Sequence, residues 1–482
     1  LKNGSPIPGA SGNPYETPPV TLADDNSQFQ AIVYTLVGAL TSAPPAVLDV
    51  ISDTNAPVVI GSGALAGSTR VGLTFDEALD PVTGANPANY LVNGVAATSA
   101  TVLTNNPLVG GFLVQLTVAA PVTAPLTLTV SGVKDRVNNT MPSAVVNGTV
   151  IGLNYDDIGS PAGEPGGPDP DPTVLPAIVN VRGPGAIDVL CNGNDYWNNA
   201  DGFNFLWAPK TNNFDVKVRV ASVQNINNWS AGAIEVREGP RTANGAGWEL
   251  ARHYFCKANY GGAQGPAQDG SGGGANSFEF NCRRATGDPL LRETSNNGQG
   301  QSQGWGGTGT GNMGPVPYPN AWIRIARVRS TDGTSDHLFG YLSTDGVNWD
   351  LRQDVDLNDA NHAGWLALDG VTPSGAWPSV CYVGLGSTSH TGVGNGNNIN
   401  AATGLPWQCW VSYRDFGDFA AVVTPTLSIV RNPNGTITLT FTGNLYSSTN
   451  VQGPYAIMTG ATSPLIINPQ TGPATTFYRA GP

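Results

Sequence analysis

The segment FDVKVRVASV at residues 214–223 alternates apolar and polar side chains with a period of two. That period fits a pleated strand with one buried face, whereas an α-helix brings every third and fourth residue together. The same texture recurs along the chain. Short runs such as GAIDVLC, GFNFLWA, AWIRIARVRS and SVCYVGLGSTSH are bounded by Gly, Asn, Asp and Pro, and Gly and Pro alone number 62 and 38. No window of eleven or more residues carries helical apolar spacing, and no apolar run is long enough to span a bilayer. The expected fold class is all-β. A chain of 482 residues exceeds what one hydrophobic core serves, so tandem β-sandwiches are expected.

Charge and cysteine content narrow the function classes. A net charge of -13 with 22 Lys and Arg spread over the whole length provides no basic stripe for a phosphate backbone, which excludes nucleic acid as a partner. Cys191, Cys256, Cys282, Cys381 and Cys409 contain no CxxC pair, so disulfides in an oxidising, extracellular setting fit better than structural zinc. WELARHYFC and SFEFNC read as neighbouring antiparallel strands, which predicts a Cys256–Cys282 bridge.

Residues 1–51 contain KNGSPIPGASG, YETPPVTLADDNSQFQAIV and ALTSAPPAVLDV. These resemble the pattern of bacterial Ig-like domains strung along secreted proteins, and the resemblance implies a partial domain lacking its first strands. Its exposed assembly edge is then expected at Phe29, Ile32 and Tyr34. Residues 52–153, with LTFDEALDP, NYLVNG and LTVSGVKDRVNN, are similar to a second Ig-like type common in S-layer proteins. Phe75, Tyr90, Leu116 and Val130 read as its core. Asp76 and Glu77 lack a third acidic ligand nearby in sequence, so no metal is assigned there.

Residues 154–176 are dense in Pro, Gly and Asp and read as a linker. Residues 177–420 carry NDYWNNADGFNFLW, FDVKVRVASVQNINNWSAGAIEVREG, WIRIARV, FGYLSTDGVNW and YVGLGSTSH in order. Together these resemble a bacterial branch of the concanavalin A-like lectin/glucanase fold, a jelly-roll-like double sheet. Pairing of first and last strands in such sandwiches implies Cys191 with Cys409 and leaves Cys381 over, with Cys381–Cys409 the alternative. Two Gly-rich insertions, GGAQGPAQDGSGGGANS and TSNNGQGQSQGWGGTGTGNMGPVPYPN, are expected to be surface loops. Residues 421–482 read as a small C-terminal β-domain, with NPNG as a hairpin turn and Tyr455, Phe477 and Tyr478 as core.

The glucanase side of this resemblance implies two carboxylates on one strand face. In IEVRE, Glu235 and Glu238 are three apart and fall on opposite faces, whereas Glu235 and Arg237 share one and form an ion pair. The four His (His253, His337, His362, His390) show no HxxxH or HExxH spacing, and no GxSxG elbow occurs. No catalytic residues are therefore assigned, and the expected protein is not an enzyme. The densest Asn/Asp cluster, Asn194, Asp195, Asn198 and Asp201 beside Trp197, is the candidate binding site for a sugar, with Asp195 and Asp201 able to hold calcium; a plain turn is the competing reading. No other cofactor is expected.

The expected function is a structural subunit of an extracellular filament, sheath or surface layer. Copies of the chain would be its partners, joined head to tail where the incomplete Ig-like domain borrows a strand. A glycan-binding adhesin at the cell surface is the alternative, and a glycoside hydrolase the weaker one.

Overall fold

The computed structural model describes all residues except 11–14, 16, 19, 36, 104–111, 160–174, 194–200, 240–250, 261–277, 284–315, 333, 358–376, 392–398, 401–404, 420–426, 442–443, 453–454, 459–460, 470–474 and 482. Asn194, Asp195, Trp197 and Asn198, His362, the first Gly-rich insertion and most of the second lie outside the described residues. The chain divides into two compact units, Leu1–Ile151 with Asn180–Gly183, and Gly152–Val179 with Pro184–Pro482. Strands dominate both, and α1 (Pro81–Gly84) is a single turn opened by the Asp80 cap, whose carboxylate accepts from the Thr83 N–H.

At the start of unit 1, β1 (Gln28–Phe29) pairs with β4 (Ala46–Val47), and β2 (Ile32–Thr35) with β3 (Gly38–Thr41). Phe29 lies opposite Ala46, Ile32 opposite Thr41 and Tyr34 opposite Ala39. No apolar side chain among the described residues of this segment is buried. Tyr34 is 80% exposed, Leu40 71% and Val37 98%. The alternating pattern of these strands thus lacks a core to face.

The rest of unit 1 is an eight-stranded sheet of β5 (Val59–Leu65), β6 (Arg70–Phe75), β7 (Tyr90–Val92), β8 (Val95–Ala96), β9 (Ser99–Val102), β10 (Phe112–Thr117), β11 (Leu126–Val130) and β12 (Ala144–Ile151), in the order β8-β7-β11-β12-β5-β6-β10-β9. Its β12–β5 pair is parallel and the others are antiparallel. Phe75, Tyr90, Leu116 and Val130 are fully buried in one cluster with Leu73 and Leu128, as their alternation predicts. The Tyr90 hydroxyl donates to Gly84 O at 2.7 Å, so burying it leaves no orphaned donor.

Unit 2 begins with a correction. Residues 154–158 were expected to belong to a linker, yet Asn154–Ile158 form β13, which pairs with β16 (Phe203–Thr211) through Tyr155 opposite Leu206 and Ile158 opposite Phe203. Asp156 and Asp157 are tolerated because they have donors: Trp207 Nε1 to Asp156 at 2.6 Å and Asn204 Nδ2 to Asp157 at 2.6 Å. The edge position demands little more.

Two sheets build the large sandwich. One is β13-β16-β24-β18-β19-β20, with β18 (Ala231–Arg237), β19 (His253–Asn259), β20 (Phe278–Arg283) and β24 (Val380–Thr388). After β14 (Ile178–Gly183), most of which belongs to unit 1, the chain enters the other, β15-β27-β17-β21-β22-β23, with β15 (Ala186–Cys191), β17 (Phe214–Val223), β21 (Ala321–Arg329), β22 (Asp336–Ser343), β23 (Asp350–Asp356) and β27 (Cys409–Asp418). A short pair, β25 (Ile399–Asn400) and β26 (Leu405–Pro406), stands apart. Glycines let the sheets approach: a Cβ on Gly232 of β18 would stand 2.6 Å from Val411 Cγ1 and 2.9 Å from the Tyr413 hydroxyl of β27. A Cβ on Gly340 of β22 would stand 2.5 Å from the Tyr254 hydroxyl of β19. These contacts fix the inner face of the first sheet as the one carrying Gly232, Tyr254 and Phe280.

At the C-terminus, β28 (Leu427–Arg431), β29 (Ile437–Phe441) and β32 (Leu465–Ile467) form one small sheet, and β30 (Asn444–Ser448), β31 (Ala456–Ile457) and β33 (Phe477–Gly481) the other. The NPNG turn joins β28 to β29, with Gly435 at φ 85, a left-handed conformation that glycine adopts at no steric cost. Tyr478 packs on the Leu439, Phe441 and Leu445 core, while Tyr455 and Phe477 are half-buried.

Candidate functional site

Because directly opposed residues share a face, the antiparallel registers place three rows of side chains across β18, β19 and β20. Arg237, His253 and Arg283 form the first, Glu235, Phe255 and Asn281 the second, and Ala233, Lys257 and Glu279 the third; Asn259 follows opposite Ala231. All point away from the seven-stranded sheet, since Gly232, Tyr254 and Phe280 occupy the other face. A strand face turned outward is normally solvated, yet every polar member of these rows is buried.

Asp201, just before β16, anchors the first row. Its Oδ1 accepts from Arg283 Nη2 at 2.6 Å, and its Oδ2 from Arg283 Nη1 at 2.8 Å and Arg237 Nη2 at 2.5 Å. Arg237 Nη1 also bonds Glu235 Oε1. His253 Nδ1 lies 3.0 Å from that same oxygen and 3.3 Å from Asp201 Oδ2. Both neighbours are carboxylates that only accept, so Nδ1 carries a proton. Burial alone would raise the Asp201 carboxyl, but Arg283, His253 and Arg237 hold it far below the ordinary carboxylate range. Burial likewise opposes the charge on Arg237, and Glu235 and Asp201 outweigh it, raising its pKa.

In the third row Lys257 Nζ lies 3.2 Å from Glu279 Oε2, and Asn259 Nδ2 donates to Glu279 Oε1 at 2.8 Å. Asn281 Nδ2 reaches Glu279 Oε2 at 3.4 Å. Since the carboxylate cannot donate, these contacts orient both amides with the carbonyl oxygen away from Glu279. The face continues onto β24 and β16 as an apolar cluster of Phe203, Phe205, Ala233, Phe255 and Ile158, with Trp207 and Tyr382 packed edge to face at 5.0 Å.

Both oxygens of Asp201, expected with Asp195 as a calcium ligand, are engaged by guanidiniums. Asp201, Glu235 and His253 do bring ligand atoms within 4.8 Å of one another, but Arg237 and Arg283 stand in the same space and oppose a cation. No disulfide joins the cysteines, and all five are buried thiols. Cys256 lies opposite Phe280 and Cys282 opposite Tyr254, so the expected pair is offset by two residues. Cys191 does face Cys409 across β15 and β27, but its Sγ donates to Cys409 O at 3.1 Å. Burial, reinforced by Cys409, pushes the Cys191 thiol well up, away from the thiolate.

The ion pair of Glu235 with Arg237 follows from their spacing, and Glu238 is held separately by Arg252 at 2.5 Å. What sequence reasoning missed is the partners, which come from segments far apart in the chain. The registry of FEFNCR against HYFCKAN is the signal that would have aligned them. Asp53 and Asp135 were missed in the same way. They bring carboxylate oxygens within 4.8 Å of Glu77, supplying the third acid absent from its neighbourhood in sequence. Desolvation, then the charges of Asp53, Asp135 and Asp76, raises the Glu77 carboxyl to about 7. His337 pairs with Asp354 at 2.7 Å, and His390 lies beside Trp229, so neither joins His253.

No family model matches the chain, and no curated protein does. Among solved structures it is similar to the S-layer protein rSbsC, at 12% identity over 82% of this chain and 48% of that one, with a TM-score of 0.18. A structure of SbsC domains 1–6 matches at 13% identity, 82% and 47% coverage, and a TM-score of 0.18. Peanut lectin with a bound nonapeptide matches at 9% identity over 56% of this chain and 100% of its own, with a TM-score of 0.21. The chain spans about half the length of the two S-layer structures. No helix among the described residues is long and apolar enough to cross a membrane.

Proposed function

We propose that the protein is a non-enzymatic structural subunit of an extracellular filament, sheath or surface layer at the cell surface, and that copies join at the sheets of residues 28–51. One observation carries this reading: Tyr34 and Leu40 stand exposed on a two-stranded sheet, with Val37 exposed in the turn that joins it, and β2 and β3 each have one edge with no strand partner among the described residues. An edge of this kind accepts an added strand through main-chain hydrogen bonds, and the apolar side chains then gain a covering face. The test is light scattering over a range of concentrations together with negative-stain microscopy. Concentration-dependent association abolished by Tyr34→Lys with Leu40→Lys is expected. A monomer at every concentration, with the β2–β3 amides protected from exchange, would show that the cover comes from the same chain.

Glycan binding is a second reading, supported by the resemblance of the motifs in residues 177–420 to the concanavalin A-like lectin/glucanase fold. A glycan array with the full chain tests it, and the absence of any bound glycan would remove it. The absence of an enzymatic role is supported by Glu235, whose Oε1 is shared by Arg237 and His253, and by the separate pairing of Glu238.

A further inference from the structure

Lys257, Glu279, Asn259 and Asn281 share the outward face of β19 and β20 and are 1%, 4%, 0% and 3% exposed. Lys257 stands directly opposite Glu279, and Asn281 lies two residues further along β20 on the same face. Diagonal neighbours of this kind come within reach when one side chain is long. What meets here is a primary amine, a carboxamide and, between them, a carboxylate. Glu279 Oε2 lies 3.2 Å from Lys257 Nζ and accepts from Asn281 Nδ2 at 3.4 Å. One oxygen therefore touches both the nucleophile and the leaving nitrogen of an acyl transfer.

Burial changes what the amine can do. In water a lysine is a strongly hydrated ammonium with no lone pair to offer, whereas in a site this dry an ion pair is costly and passing one proton to the carboxylate leaves two neutral groups. The amine so formed is a nucleophile. The two amides point the same way. Asn259 Oδ1 and Asn281 Oδ1 have no hydrogen-bond partner among the described residues, at a cost of about 1–3 kcal/mol each. An ionised Glu279 cannot donate to either of them, and a protonated one can. A reaction that removes the ion pair and leaves Glu279 protonated relieves both defects.

We propose that Lys257 and Asn281 become joined by an intramolecular amide bond, with Glu279 as the proton carrier. Glu279 takes a proton from the Lys257 ammonium, and Nζ attacks Asn281 Cγ to form the Nζ–Cγ bond. Glu279 then gives its proton to Nδ2 and takes a second from Nζ, the Cγ–Nδ2 bond breaks, and ammonia departs. The ion pair and the carboxamide have become an amide, a neutral acid and ammonia, so charge balances, and no oxidant, reductant or cofactor is consumed. Asn259 is held on the other oxygen, Oε1, at 2.8 Å, and lies on the same strand as Lys257, where it fixes the carboxyl group. Through Asn281 the bond ties β20, the edge strand of its sheet, to β19.

Mass spectrometry of the full chain tests this. The intact protein should weigh one ammonia less than its sequence. After denaturation, trypsin should release residues 253–283 uncut at Lys257, and a protease that cuts before Asp269 should leave the two halves of that peptide joined. Glu279→Gln and Asn281→Ala should each restore the full mass and the cut after Lys257. If neither variant folds, the peptide map of the unaltered chain decides. A protein of full mass that is cut after Lys257 overturns the bond. A peptide that lacks ammonia but falls apart at Asp269 places the bond at Asn259 and overturns the acceptor, and a bond that persists in Glu279→Gln overturns the role of Glu279.

Discussion

Glu77 is a carboxyl whose surroundings oppose its charge. Its folded value of about 7 stands above the ordinary 4.5 because of burial and of three neighbouring acids. Below the ordinary value it is protonated in folded and unfolded chains alike and its charge opposes nothing. Between the two values the folded state binds more protons, so the stabilisation it confers is lost as pH rises from about 4.5 through 7. Calorimetry at both ends of this window should show unit 1 melting lower at the upper end, and Glu77→Gln should flatten that slope. The cysteines yield a second expectation. All five are buried, so a thiol reagent should titrate them in denaturant and none in the native protein, and a reducing agent should leave the melting temperature unchanged. At this scale spacing was informative only locally. It placed Glu235 with Arg237, but Asp201, His253, Arg283, Asp53 and Asp135 reach their sites through the fold.

Elements were far more legible, because a period of two survives in a single sequence and needs no knowledge of partners. The segment 214–223 is β17 from end to end. β13 was hidden because NYDDI puts polar residues where an edge strand can satisfy them. Cysteine pairing failed for a related reason: periodicity shows which residues share a face but not the register, and two residues separate Cys256 from the position opposite Cys282. On the outer face of the second sheet, Arg324 donates twice to Asp215, at 2.7 and 2.6 Å, and stacks 3.6 Å from the Phe419 ring centroid and 4.4 Å from that of Tyr341. Lysine cannot reproduce the fork or the stack, so Arg324→Lys should lower stability by about 1 kcal/mol in urea unfolding. Between the sheets, Gly340→Ala should cost about 1–3 kcal/mol, because the new methyl group meets Tyr254 and Phe280.

For the whole molecule, the net charge of -13 sets copies against one another. Self-association through the sheets of residues 28–51 should therefore strengthen with salt, as the screening length falls from about 30 Å at 0.01 M to about 8 Å at 0.15 M. Light scattering at the two ionic strengths checks this, and weaker association at the higher salt would point to contacts between opposite charges instead. Composition made the all-β class and the acidity legible, since both are sums over residues. Which surfaces meet a partner depends on the exposure of individual side chains, as at Val37, and only the fold reveals it.

The row Arg237, His253 and Arg283 also has a bearing on how the first sheet reaches its alignment. A slip of β18, β19 or β20 by one residue would turn its charged side chains into the apolar layer facing β27 and β22, at several kcal/mol for each ion stripped of its partner. Sliding by two restores the face but carries at least one guanidinium out of reach of Asp201. Hydrophobic pairing alone would tolerate that shift, since Phe, Tyr, Ile and Ala recur along these strands. The cluster thus works as a vernier: of the alignments that hydrophobic pairing would tolerate, it favours the one setting in which both guanidiniums reach Asp201.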